Sequence, residues 1–280
     1  MESGNWIVDN IENALKMWAE KLDEIWTLLT TTPKEFRGGG IWEVIVNIHG
    51  TVQAIAFALL VLFFLVGVVK TCGSFAELKR PEVAVKVFIR FIIAKALITY
   101  GLELMLSLFS VVQGVIGAIM ESSGVMAAAG MSMPSAMVSQ IEGLGFLASI
   151  PMWAVSLIVC LVIWALSFVI ILTVYGRFFK IFIYTAIAPI PLSSFAGEPT
   201  QSIGISFLRS YCAVLLEGAV IILACIIFSL FAASPPVVDS SVSVITSVWA
   251  YMAEIILSML ILVFTIKMAD RVVREMLGLG

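Results

Sequence analysis

Residues 150–174 read IPMWAVSLIVCLVIWALSFVIILTV, a run without a single charged side chain. A helix at the surface of a soluble domain keeps one apolar stripe and solvates the rest. This segment is apolar on every face, so its surroundings must be apolar on every side. At about 1.5 Å of rise per residue it reaches about 37 Å, enough to cross a hydrocarbon layer about 30 Å thick.

Outward from this stretch, comparable windows lie within Ile41–Val69, from Pro81 to about Ile119, from about Ile203 to Phe231, and from about Val244 to Met268. The whole chain is 61% hydrophobic and 12% charged, against about 45–50% and about 25% in soluble domains. That excess does not fit inside one soluble core. The expected fold class is all-α: a polytopic membrane helix bundle of about five transmembrane helices, one re-entrant half-helix and an N-terminal amphipathic helix.

The amphipathic helix is written in Ile7, Ile11, Leu15, Trp18, Leu22, Ile25, Trp26 and Leu29, which recur at three- and four-residue steps and so share one face. Its polar side holds Glu2, Asp9, Glu12, Glu20, Asp23 and Glu24 against Lys16 and Lys21. Helices that lie on lipid favour Lys and Arg there, so packing on a partner or on its own bundle is the better expectation. Thr32, Pro33 and Gly38-Gly39-Gly40 interrupt the pattern. Residues 1–40 are therefore assigned to an external amphipathic helix and Gly-rich linker, and 41–280 to a transmembrane helical domain. The N-terminus carries acidic residues and no short basic-plus-apolar signal, so the first long apolar helix is expected to direct insertion.

Within that domain the stretch Glu121–Gly145 has no Lys or Arg and reads as a loop, mobile or shallowly inserted. The segment from Arg177 to Leu192 is apolar but short, and Pro189 and Pro191 remove helix donors where a span would need completing. It reads as a re-entrant element near 178–200. Lys and Arg in short loops stay cytoplasmic. After the first span the basic residues are Lys70, Lys79, Arg80, Lys86, Arg90, Lys95, Arg177, Lys180, Arg209, Lys267, Arg271 and Arg274, with none in 121–145 or 232–243. Placing them all inside requires the N-terminus outside, the C-terminus inside, and residues 178–200 returning to the side they left.

Ionisable groups inside a bilayer cost about 2.5–3.5 kcal/mol each on insertion scales, so they mark interiors, interfaces or watery cavities. Glu103, Glu217, Glu254 and Lys95 are the candidates for a polar path or subunit interface; the competing reading is structural glue between helices. Lys95 and Glu103, eight residues apart on one helix, are separated by about 12 Å and need other partners. Arg177, Lys180 and Arg209 are expected at the cytoplasmic interface, reaching lipid phosphate. Pro189 and Pro191 free backbone carbonyls that only protein or water can cover. His49 beside Gln53 reads as a helix-packing hydrogen bonder, and Trp42, Trp153 and Trp249 as interfacial anchors.

Cys72, Cys160, Cys212 and Cys225 lack metal spacing, and the last three read as core thiols. The net charge of -3 does not suggest a nucleic-acid surface, which is usually basic and clustered. No phosphate-cradling glycine motif, HExxH or nucleophile constellation is present, and one histidine leaves little for such sites. No enzyme is expected, and no cofactor beyond bound phospholipid.

Arg177-Phe178-Phe179-Lys180-Ile181 leading into Ala188-Pro189-Ile190-Pro191-Leu192, together with the acidic first helix and the basic lead into the second span, resembles the TrbL/VirB-type polytopic inner-membrane component of type IV secretion systems. The resemblance spans about residues 41–275 and is strongest from Arg177 to Arg209. It implies a channel or platform subunit of the bacterial cytoplasmic (inner) membrane, ring-forming and homo-oligomeric. Such a subunit contacts membrane lipids, pilin-like or surface-fibre subunits and other secretion components, and supports DNA or protein transfer. Direct DNA contact is not implied, since Glu103, Glu217 and Glu254 lining a pore would repel phosphate. A small-solute or ion transporter using the intramembrane carboxylates is the alternative, although transporters pair their broken helices in two repeats and only one appears here. A lipid-embedded assembly factor is a third reading that no sequence feature singles out. Single cysteines at Ser194 and Thr200 should be labelled from the cytoplasm alone; labelling from outside would overturn the re-entrant assignment.

Overall fold

The computed structural model describes residues 5–71, 81–123, 133–232 and 244–279, and among them regular structure is entirely helical. The helices are α1 Trp6–Thr30, α2 Gly40–Thr71, α3 Pro81–Thr99, α4 Gly101–Ser123, α5 Ser135–Glu142, α6 Phe146–Ile187, α7 Pro189–Ser193, α8 Gln201–Ala232 and α9 Val244–Met276. Five stretches are long and apolar enough to cross a membrane: Phe36–Lys70, Gly101–Ser123, Ser149–Ile187, Gln201–Ala232 and Ile245–Met276. The all-α polytopic class is what the composition predicts. Cys72, the charged connection through Lys79 and Arg80, residues 124–132 and Pro235-Pro236 lie outside the described residues.

The chain folds as two compact units. The first comprises Met1–Thr30, Ile116–Tyr175 and Gly218–Ala269. Here the predicted stripe of α1 is buried at all eight positions, so the partner of this amphipathic helix is the chain itself. Trp18 meets Phe228 of α8 edge-on at 6.1 Å between ring centroids. Asn5 Nδ2 donates to the Ile141 carbonyl at 3.4 Å. That bond ends on α5, whose Met137 and Ile141 are also buried. The loop expected over 121–145 therefore contains a helix at Ser135–Glu142. Its small polar residues disguised the apolar pair, which lies one turn apart on one face.

The second unit comprises Thr31–Val115, Gly176–Glu217 and Asp270–Gly280. The glycine run leads into it through a turn in which Gly38 and Gly39 take φ +76° and +83°, values that side chains with a Cβ strongly disfavour. Phe36 then stacks on Phe178 with centroids 4.3 Å apart. The expected second helix proves to be two, α3 and α4, jointed at Tyr100 while hydrogen bonds continue across it, from Tyr100 N to Ala96 O and from Leu104 N to Tyr100 O. Gly101 at this joint is packed so closely that an added Cβ would lie 3.2 Å from Leu192 Cδ1.

The third span also differs from expectation. Arg177–Ile187 is not a separate half-helix but the continuation of α6, which runs without a break for 42 residues. Gly176 costs a helix only about 1 kcal/mol, too little to end one, and the first proline of the pair sits at the N-terminus of the next helix, where its missing N–H does no harm. After Ala188 the chain makes α7, one 3-10 turn at Ser194–Ala196, and returns as α8. Pro189 has no N–H for the Thr185 carbonyl four residues before it, and that carbonyl accepts from His49 Nδ1 instead; within the turn Ser193 Oγ donates to Ile190 O at 2.6 Å and Ser194 Oγ to Pro191 O at 2.7 Å. Ser194 Oγ also accepts from Gly204 N at 2.9 Å, and Thr200 Oγ1 donates to Ser194 O at 2.8 Å. Ser194 is fully buried, which leaves Thr200 as the reporter for labelling.

The hairpin is held by contact without side chains. A Cβ on Gly197 would stand 2.6 Å from Phe63 O, and one on Gly67 would stand 2.9 Å from Gly197 Cα. Backbone cannot withdraw as a flexible side chain can, and overpacking costs about 1–3 kcal/mol. Gly197→Ala should therefore lower the melting temperature of the detergent-purified protein by several degrees. Gly114→Ala, with nothing within 4 Å, should leave it unchanged.

Candidate functional site

Arg177 and Lys180 stand three residues apart on α6 and so share a face. Arg177 is 1% exposed. Its Nε donates to the Val214 carbonyl at 3.2 Å and its Nη2 to the Leu215 carbonyl at 3.1 Å, both on α8. A planar guanidinium suits this task, because its donors form a fixed fork that can span adjacent acceptors. Contact with lipid phosphate, expected from the sequence, does not describe this side chain: it faces inward onto α8.

One turn further, Lys180 Nζ lies 3.3 Å from Glu217 Oε2 and 3.2 Å from Asp270 Oδ1. Asp270 Oδ2 in turn accepts from Arg274 Nε at 2.9 Å. The four charges form a chain from α8 through α6 to the C-terminal end of α9. Its two ends differ in environment, since the Glu217 side chain is 3% exposed and that of Lys180 is 41% exposed. Removing water strengthens attraction between charges and also raises the cost of leaving one unpaired. The cluster therefore works as a tether whose most buried member depends on its partner.

The other sequence candidates are placed apart from it. Lys95, Glu103, Arg209 and Glu254 are all exposed, and among the described residues no ion pair joins Lys95 or Glu103 to Glu217. Pro189 is buried and Pro191 half-buried, in the hairpin already described. His49, 4% exposed, donates from Nδ1 to the Thr185 carbonyl at 2.7 Å, and Gln53 Nε2 donates to Ile98 O at 2.9 Å, the helix-packing role read from the sequence. Asp270 was missed. The one local sign of it is the four-residue spacing to Arg274, and nothing local links either residue to Lys180.

An uncharged helix core, buried charges used as ties and a hairpin closed on glycine define an integral membrane scaffold. Residues 19–189, more than half of the chain, match the family described as TrbL/VirB6 plasmid conjugal transfer like protein. The chain belongs to that family, and so to the structural components of conjugative type IV secretion. The match begins earlier than the sequence resemblance suggested, inside α1, and ends at Pro189. Comparison with curated proteins returned no match, and comparison with solved structures returned none.

Removing Lys180 takes from buried Glu217 the ammonium it is bonded to and leaves only the Arg177 guanidinium nearby, while removing both leaves an apolar contact. Lys180→Met should destabilise the protein by about 1–3 kcal/mol, read as a shift in its denaturation midpoint in mixed micelles. Lys180→Met with Glu217→Met should recover part of that loss; equal loss in the single and double variants would mean that the pair contributes nothing.

Proposed function

We propose that this protein is a non-enzymatic platform subunit of a conjugative type IV secretion machine in the bacterial cytoplasmic membrane. In this reading copies assemble into a ring, other secretion components and pilin-like subunits dock on it, and DNA or protein substrates cross with its help. Family membership over residues 19–189 is the observation that carries the reading.

Charge partition supports an orientation with the N-terminus outside and the C-terminus in the cytoplasm. Thirteen of the sixteen Lys and Arg fall in the chain ranges of the second unit, beside nine Asp and Glu; the ranges of the first unit hold the other three, beside ten. Basic segments are retained on the cytoplasmic side during insertion, and the connections 121–145 and 232–243 carry no Lys or Arg. A bare DNA conduit is disfavoured, because nucleic-acid phosphates are normally met by Lys and Arg. The transporter reading rests on Glu103, Glu217 and Glu254 and on the broken helix; of the three carboxylates Glu217 is buried and bonded to Lys180, which weighs against its exchanging partners.

An in-frame deletion of the gene in donor cells should abolish transfer of the conjugative element, and complementation in trans should restore it. Unchanged transfer would overturn the platform reading.

A further inference from the structure

The first unit poses a problem of solvent. Asn10 Nδ2 donates to Ser156 Oγ at 3.4 Å, the Cys160 thiol to Asn10 O at 3.2 Å, and Tyr175 Oη to Glu24 Oε1 at 3.1 Å. From Asn10 to Glu24 is about 21 Å along α1, and from Ser156 or Cys160 to Tyr175 is about 22–28 Å along α6. The two helices therefore run side by side in the same direction. What α1 lies beside is the uncharged stretch 150–174, which belongs in hydrocarbon.

At that depth α6 turns Leu157, Leu161, Trp164, Phe168 and Leu172 outward, as a lipid-facing helix should. The outward side of α1 is the opposite: Asn13, Lys16, Glu20, Asp23 and Thr27 are exposed along one face. Glu12 flanks them half-buried and, with Glu20 and Asp23, gives three acids to one base. Lys21 is already engaged with Glu24 at 2.6 Å. Pairing within the face cannot neutralise it. Lipid cannot cover such a face, because charged groups at membrane depth turn to bundle interiors or watery cavities. The same face of a second copy would meet it with like charge, which opposes dry docking.

We propose that the polar face of α1 lines a water-filled, acidic passage at membrane depth, enclosed when several copies assemble. This rests on the assembly proposed above. Such a wall admits water and cations and repels the nucleic-acid backbone.

The test uses the full chain in donor-cell membranes, with the four native cysteines replaced. Paired cysteines from Asn10→Cys with Ser156→Cys, and independently from Glu24→Cys with Tyr175→Cys, should cross-link on oxidation. Single cysteines from Asn13→Cys and Glu20→Cys should react with water-soluble thiol reagents, a cationic one several-fold faster than an anionic one. Leu161→Cys and Phe168→Cys should react only with a lipophilic reagent. Cross-linking without aqueous labelling of Glu20→Cys would show a dry face and overturn the proposal. Labelling with neither pair cross-linked would place α1 on the membrane surface, and aqueous labelling of Leu161→Cys would place the unit in water; either overturns it. These readouts are taken on the protein itself, so they stand apart from whether deletion abolishes transfer.

Discussion

Every amide that enters hydrocarbon must find its hydrogen bond within its own segment, and α6 carries that constraint through 42 residues. One end supplies the apolar surface on which α1 lies; the other supplies Arg177, Lys180 and the entry into the hairpin. Local breaks are consequently displaced to its ends. Where the helix does stop, before Pro189, the Thr185 carbonyl that the proline cannot serve accepts from His49 Nδ1, and serine and threonine hydroxyls bond the carbonyls of Ile190, Pro191 and Ser194 inside the hairpin.

What could be seen in the sequence was whatever depends on neighbours along the chain. Five apolar windows and the stripe of α1 are local in this sense, because length and a 3.6-residue period are properties of a single segment. The hairpin was half visible: Pro189 and Pro191 marked the turn, but the charges at Arg177 and Lys180 looked like the end of a span when they are its continuation. Charge near a membrane helix end suggests an interface only if the side chain points outward, and the direction of Arg177 is set by Val214 and Leu215, nearly forty positions later. Asp270 was invisible for the same reason, being 90 residues from Lys180. Beside the joint at Tyr100, Gly101 packs close to Leu192 and His49, neighbours that no pattern within α3 or α4 encodes.

The same distinction bears on what the buried charges can do. A carboxylate that serves a transport cycle must exchange partners, with water or substrate reaching it in at least one state. Glu217 is shut in at 3% exposure and bonded to Lys180, which also holds Asp270. Moving Glu217 would cut the tie of α8 to Lys180 and leave that ammonium to Asp270 alone. A cluster arranged in that way resists excursions, which suits a platform that must keep its shape while other proteins work against it. Polar groups free to meet water lie elsewhere, on the outer face of α1, where no described ion pair fixes Glu20 or Asp23 and where the apolar side of the same helix is fully committed to the core. The chain thus separates two uses of charge: neutralised pairs that hold helices in register, and an unneutralised face whose only stable solvent is water.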